Sequence, residues 1–128
     1  MITLNHTLIR VNDRERSARF FTDLVGLAPA RPTGPFMAVA VNEDLTLDFD
    51  DRHGASPGHY GFLVDDTVLD RVLDAADKLG APYGSGPEHG WDHATYSVDG
   101  ARGVYVQEPD GHSYEFFTRL DTPLGRAQ

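Results

Sequence analysis

Four side chains frame the chemistry this sequence can do: His6 and Asp48, and further along the chain His59 and Glu115. Neutral imidazole nitrogens and carboxylate oxygens are ligands that suit Fe(II), Mn(II), Ni(II) and Zn(II), and two histidines with one carboxylate form the facial set of non-haem iron oxygenases. The same groups transfer protons near neutral pH. The chain contains no cysteine, which removes thiolate nucleophiles, disulfides and sulfur-ligated metal sites together. A single histidine on a strand is usually a satisfied core or surface residue. These four differ because they come as two matched pairs.

The matching comes from an internal repeat. Asn5-His6-Thr7-Leu8-Ile9-Arg10-Val11-Asn12-Asp13 aligns without a gap on Gly58-His59-Tyr60-Gly61-Phe62-Leu63-Val64-Asp65-Asp66. Each run is apolar, opens on a histidine and closes on an acidic residue able to cap a helix. Helical stripes follow both. The first carries Ala18, Phe21 and Val25, with Phe20 and Leu24 beside them, and stops at Gly26. The second carries Leu69, Val72, Leu73, Ala76 and Leu79 and stops at Gly80. Phe36 to Val41 then reads as a strand, Asn42-Glu43-Asp44 as a tight turn and Leu45 to Asp50 as the returning strand. Gly103 to Val106, the turn Glu108-Pro109-Asp110-Gly111 and His112 to Thr118 repeat that hairpin and set Asp48 opposite Glu115. The offset between copies grows from 53 residues at the histidines to 67 at the carboxylates, so the second copy carries about 14 more, expected within Gly84 to Gly103.

Each copy is therefore β-α-β-β-β, and the fold class is α+β with two tandem modules. The second strand of each is expected near Ala28 to Arg31 and near Pro82 to Gly84. The chain reads as one domain with module 1 over about 1–53, a hinge at Ala55 to Gly58, module 2 over about 58–120 and a tail at 121–128. Strand alternation assigns faces. His6, Leu8 and Arg10 point opposite to Thr7, Ile9 and Val11; His59, Gly61 and Leu63 point opposite to Tyr60, Phe62 and Val64. Asp48 goes with Thr46 and Asp50, and Glu115 with Ser113 and Phe117, while Leu47, Phe49, Tyr114 and Phe116 supply the apolar faces. Both histidines and both carboxylates fall on the side away from the helices.

The 128 residues carry 20 Asp and Glu against 11 Lys and Arg, a net charge of −9. That is one domain's worth of chain, and the acidity excludes the basic footprint of a nucleic-acid binder. No apolar run approaches the ~20 residues of a membrane span and no secretory leader opens the sequence, so a cytoplasmic protein is expected. The glycines lack phosphate-loop spacing, and there is no Gly-x-Ser-x-Gly elbow. Arg14, Glu15, Arg16 and Arg19, like Asp70, Asp74, Asp77 and Lys78, read as the wet faces of their helices, and His53 as a solvated loop residue.

Ser17-Ala18-Arg19-Phe20-Phe21 through Leu24-Val25-Gly26-Leu27, His59 opening the second copy, and Tyr105-Val106-Gln107-Glu108-Pro109-Asp110-Gly111 ending in Glu115 together carry a resemblance over nearly the whole chain. In their order and duplication they resemble the vicinal oxygen chelate superfamily of glyoxalase I, extradiol dioxygenases and the fosfomycin- and bleomycin-resistance proteins. The resemblance implies paired modules whose curled mixed sheets surround a cleft, with one divalent metal ion per site at its floor. It maps the ligands onto His6, Asp48, His59 and Glu115. The family counterpart of Asp48 is often the longer Glu, so Asp48 is either a fourth ligand or a solvated carboxylate. Four ligands resemble the glyoxalase arrangement, in which a displaced carboxylate shuttles a proton in isomerase or lyase chemistry. Three leave positions for a vicinal diol and dioxygen, as in ring cleavage.

Val104-Tyr105-x-x-Glu108-Pro109-x-Gly111 followed by Glu115 is similar to the tail of the extradiol pattern, in which Tyr105 would hydrogen-bond a substrate oxygen. That pattern's base histidine falls at Tyr96 to Val98, where this chain has none; His93 is the nearest candidate and His89 the next. Gly84 to His93 reads as a lid or an arm to a second subunit, with Trp91 a stacking surface for a planar ligand. Arg10, Trp91, Tyr96 and Phe117 make up the expected substrate-binding set, Tyr105, Asp48 and His93 the catalytic one, and His112 points to the apolar side and is not counted as a ligand. The expected partners are a small oxygenated substrate and a second copy of the chain. The competing expectation is a non-catalytic protein that sequesters a drug or natural product. Thiol transfer to fosfomycin ranks third, because no basic cluster is present to hold a phosphonate.

Overall fold

The computed structural model describes residues 1–119, so the tail expected at 121–128 lies outside the described residues. The described residues divide into two compact units: Met1–Gly58 together with Glu108–His112, and His59–Gln107 together with residues 113–119. In the first unit β1 (His6–Arg10), α1 (Arg14–Val25), β2 (Arg31–Thr33), β3 (Phe36–Ala40) and β4 (Thr46–Asp50) follow in order. Asp13 starts α1 by accepting the Glu15 and Arg16 backbone N–H groups, and Gly26, at φ 74, ends it by donating to Thr22 O. These groups satisfy donors and acceptors that a helix end leaves open. The sheet order is β1-β4-β3-β2, with β1 and β4 parallel and the other pairs antiparallel. Alternation sends Ile9, Leu47, Phe49 and Val39 inward against Ala18, Phe21 and Leu24, all at 0–1% exposure. His6, Leu8 and Arg10 are left on the exposed side of β1.

In the second unit β5 (His59–Leu63), α2 (Asp66–Leu79), β6 (Tyr83–Gly84), β7 (Tyr96–Val98), β8 (Ala101–Gln107) and β9 (Ser113–Phe117) repeat the plan. The sheet runs β5-β9-β8-β6, and β7 also pairs with β8. Asp65 caps α2 through Val68 N, and Gly80 at φ 66 closes it. Leu69, Val72 and Ala76 cover Val104, Val106, Tyr114 and Phe116, and Phe62 stacks on Phe116 with ring centroids 5.4 Å apart.

The second strands differ from expectation. In unit one that strand is Arg31–Thr33, later than Ala28 to Arg31. It turns back on β3 through Gly34-Pro35, with Gly34 at φ 56. Its counterpart is β7, which turns back on β8 through Asp99-Gly100, where both residues have positive φ (49° and 83°). That is the φ signature of a type I′ hairpin, and Asp-Gly between apolar residues is its sequence signal. The expected strand at Tyr83–Gly84 exists as an additional edge piece. Residues 26–30 separate α1 from β2 whereas residues 80–95 separate α2 from β7, so most of the extra residues of the second copy lie between α2 and β7, with β6 among them.

The turn joining β8 to β9 belongs to the first unit. Glu108 Oε1 accepts the Asp110 and His112 N–H groups and shapes the turn. The Asp110 carboxylate accepts Asn12 N (2.8 Å), Asn12 Nδ2 (3.2 Å), Arg16 (2.6 Å) and Ser17 Oγ (3.3 Å). Burial alone would raise its pKa, but these donors outweigh it and hold the carboxyl below its ordinary value. His112 is fully buried; its Nδ1 accepts from Gly58 N at 3.0 Å, so the proton sits on Nε2, which donates to Arg10 O at 2.6 Å.

Candidate functional site

The chemistry-bearing groups of the second unit gather on one face of its sheet. Parallel pairing of β5 with β9 puts Gly61 beside Glu115, so His59, two residues back, lies diagonally adjacent on the same face. His59 Nε2 is 3.1 Å from Glu115 Oε1. Antiparallel pairing of β8 with β9 puts Tyr105 opposite Glu115 on that face, and its ring stacks on His59 with centroids 5.7 Å apart at 27°. Tyr96 OH donates to Glu115 Oε2 at 2.6 Å, and its ring lies 5.9 Å from Tyr105. Phe117 continues the face, with its ring edge 3.3 Å from where a Cβ on Gly61 would stand. Glu115 itself is 2% exposed while His59 is open to solvent. A buried carboxylate with each oxygen assigned to a partner, beside an accessible imidazole and a wall of aromatic rings, forms a polar floor in an apolar frame.

Atom by atom, the pair fits a divalent metal. Adjacent ligands bonded to one ion at about 2.1 Å each stand about 3 Å apart, and the nitrogen–oxygen separation here is 3.1 Å. Nitrogen plus carboxylate oxygen is also the donor chemistry that Fe(II), Mn(II), Ni(II) and Zn(II) accept. Among the described residues no group of three or more His, Asp or Glu side chains stands together as a metal cluster. The second unit by itself offers two ligands.

The first unit carries the matching positions with different surroundings. Leu8 pairs with Asp48 as Gly61 pairs with Glu115, so His6 and Asp48 repeat the diagonal relation. The structure nonetheless gives His6 Nδ1 to Asn5 Oδ1 at 2.9 Å. The half-buried Asp48 carboxylate makes no hydrogen bond or ion pair among the described residues. The residue opposite Asp48 is Ala38, where the second sheet has Tyr105. Arg10 is exposed on the His6 face. Asp50 is engaged elsewhere: Arg52 hydrogen-bonds it through side chain and backbone, lowering its pKa to about 2.

The loop between β6 and β7 is internally tied. Asp92 accepts from Ser85 N (2.9 Å), Ser85 Oγ (2.7 Å) and Ala94 N (3.1 Å), bonds that hold its pKa below the usual value. Trp91 is 40% exposed. His93, expected near the catalytic groups, stacks on Tyr83 at 4.7 Å. Tyr83 shares the face of Val106, and its hydroxyl donates to Asp77 of α2, so His93 lies on the side of the sheet opposite Glu115. His93 is therefore not brought to the cluster; a left-handed backbone at φ 59 and the Tyr83 ring decide its place. Tyr96 is brought there, but bonded to Glu115 instead of facing open space. Among the described residues no helix is long and apolar enough to cross a membrane.

A family model described as Glyoxalase/Bleomycin resistance protein/Dioxygenase superfamily matches residues 3–116. A solved structure named Oxidase ChaP-H1 is similar at 42% identity and TM-score 0.87, covering 93% of this chain and 97% of that one. The lactoylglutathione lyase of Haemophilus influenzae is 26% identical over 94% of this chain and 95% of its own length. A probable chloroplastic lactoylglutathione lyase of Arabidopsis thaliana is also 26% identical, and there the chain spans only 36% of the relative.

Proposed function

The chain belongs to the Glyoxalase/Bleomycin resistance protein/Dioxygenase superfamily, and from that premise we propose that it is a divalent-metal-dependent enzyme oxidising a small planar substrate through two adjacent oxygens. The observation that carries this reading is the His59–Glu115 donor pair, 3.1 Å apart on a face walled by Tyr105, Tyr96 and Phe117. Likeness at 42% identity to a protein named as an oxidase supports oxidation over the lyase chemistry named for relatives at 26%. His59 and Glu115 would hold the ion, Fe(II), Mn(II), Ni(II) or Zn(II), with His6 as the further ligand that the repeat supplies. When bound, the ion supplies Lewis acidity toward adjacent substrate oxygens and, as Fe(II) or Mn(II), redox chemistry with dioxygen.

The chain's own residues do the rest. Tyr105 donates a hydrogen bond to a substrate oxygen and, with Phe117, presents ring faces to a planar ligand. Asp48, unpartnered among the described residues, accepts a proton from the substrate, and Arg10 balances the resulting negative charge. Trp91 covers the ligand from its loop. The protein works as a cytoplasmic homodimer: β1 and β5 are edge strands of their own sheets and expose Leu8 and Leu63 at 42% and 60%, edges that a second copy would cover.

Oxygen uptake by Fe(II)-loaded protein with catechols of increasing ring size tests the reading. It is expected to depend on His59, with His59→Ala losing metal affinity by more than about 100-fold, beyond the usual loss of an outer-shell partner. Tight binding of planar ligands by metal-free protein, with neither metal uptake nor turnover, would instead support sequestration; Trp91, the single tryptophan, reports it by quenching.

A further inference from the structure

Where the extradiol pattern has a histidine, this chain has Tyr96, and its phenol has a specific partner. Its hydroxyl meets Glu115 Oε2 at 2.6 Å, the length of a charge-assisted O–H···O⁻ bond. The other oxygen, Oε1, faces His59 Nε2. The carboxylate is thus divided between two partners on two different strands. A glutamate's last torsion is broad, so an unrestrained carboxylate turns and offers a cation one oxygen or both. A donor fixed on Oε2 removes both freedoms.

That donor is itself fixed. β7 meets β8 with Tyr96 opposite Gly103, and the Tyr96 ring lies where any Cβ on residue 103 would collide with Cζ and the hydroxyl. The Tyr105 ring flanks it at 5.9 Å. The turn Asp99-Gly100, with both φ positive, sets the register that brings Tyr96 over Gly103. We infer that Tyr96 is a positioning residue for Glu115, confining it to one-oxygen coordination on the His59 side, and that Gly103 is the gap that makes this possible. The inference rests on the metal role proposed above for His59 and Glu115.

The test titrates metal-depleted full-length protein with Co(II), read by calorimetry and by visible d–d absorption, for wild type, Tyr96→Phe, Gly103→Ala and His59→Ala. Tyr96→Phe is expected to weaken Co(II) binding about 10–100-fold and to alter the absorption envelope as the released carboxylate turns. Gly103→Ala keeps the hydroxyl but displaces the ring, and is expected to do the same. A purely structural role would lower the thermal midpoint and leave the Co(II) spectrum of the folded protein unchanged; that result overturns the inference. Wild-type affinity and spectrum in Tyr96→Phe, with His59→Ala losing binding, also overturns it while leaving the metal reading intact. If His59→Ala binds Co(II) as tightly as wild type, the metal reading has failed and this inference with it. Should Gly103→Ala not fold, Tyr96→Phe decides, since it removes one oxygen and keeps the ring.

Discussion

Glu115 is 2% exposed with one oxygen facing His59 and the other bonded to Tyr96, whereas Asp48, at the matching register of the first sheet, is half-buried with no such bonds among the described residues. The difference predicts unequal roles. Asp48→Ala is expected to leave Co(II) affinity within about tenfold of wild type while lowering turnover, and Glu115→Ala to exceed the roughly 100-fold loss of an outer-shell change; calorimetry beside a rate assay separates the two. Arg52 sets a pH dependence. The Asp50 carboxyl is depressed from 3.8 to about 2 in the folded state, so the pair's stabilisation is complete above pH about 4 and lost as pH falls toward 2. Arg52→Ala should therefore unfold at lower urea than wild type at pH 7, with the gap closing near pH 2. The matched histidines and carboxylates were legible in the sequence because the repeat aligns them. Tyr96's bond to Glu115 was not, since no local pattern says which residue a phenol reaches across two strands.

The turn between β8 and β9 behaves as an element in its own right. His112 satisfies the backbone N–H of Gly58 and the carbonyl of Arg10 from a fully buried ring. His112→Ala leaves both groups wanting partners and opens a cavity. A cost of about 2–4 kcal/mol is expected from the unsatisfied groups and the lost packing, measured by chemical denaturation. The β7–β8 hairpin carries a second element-scale prediction. Gly100 sits at φ 83, where a side chain costs about 1–2 kcal/mol. Gly100→Ala is therefore expected to destabilise by about that amount and, by loosening the strand that bears Tyr96, to weaken Co(II) binding as well. The helix start at Asp13 and the stops at Gly26 and Gly80 stand where the sequence signals them, and the second start falls at Asp65, one residue before the Asp66 that the repeat aligns with Asp13, because capping is settled within a few residues. Asp99-Gly100 was an equally local signal. It places the second strand of module 2 at Tyr96–Val98, after the inserted loop, instead of near Pro82 to Gly84 where the repeat put the partner of the Ala28 to Arg31 strand.

At the scale of the molecule, the proposed dimer predicts a solution mass twice the 14.1 kDa of one chain. A charge placed on the exposed edge of β5, as in Leu63→Lys, should shift the light-scattering mass toward one chain. The sequence alone determined the duplicated β-α-β-β-β plan, the two faces of the first and last strand of each module, and the placing of an imidazole and a carboxylate on the same face in each copy. All of these follow from periodicity, capping and repeat alignment, which are properties of short stretches of chain. Only the tertiary structure decided that the second copy gathers His59, Glu115, Tyr96 and Tyr105 while the first leaves Asp48 opposite Ala38, that His93 stacks on Tyr83 away from Glu115, and that Glu108–His112 joins the first unit. Those outcomes depend on register and turn geometry between strands far apart in sequence, where a shift of one residue sends a side chain to the other face.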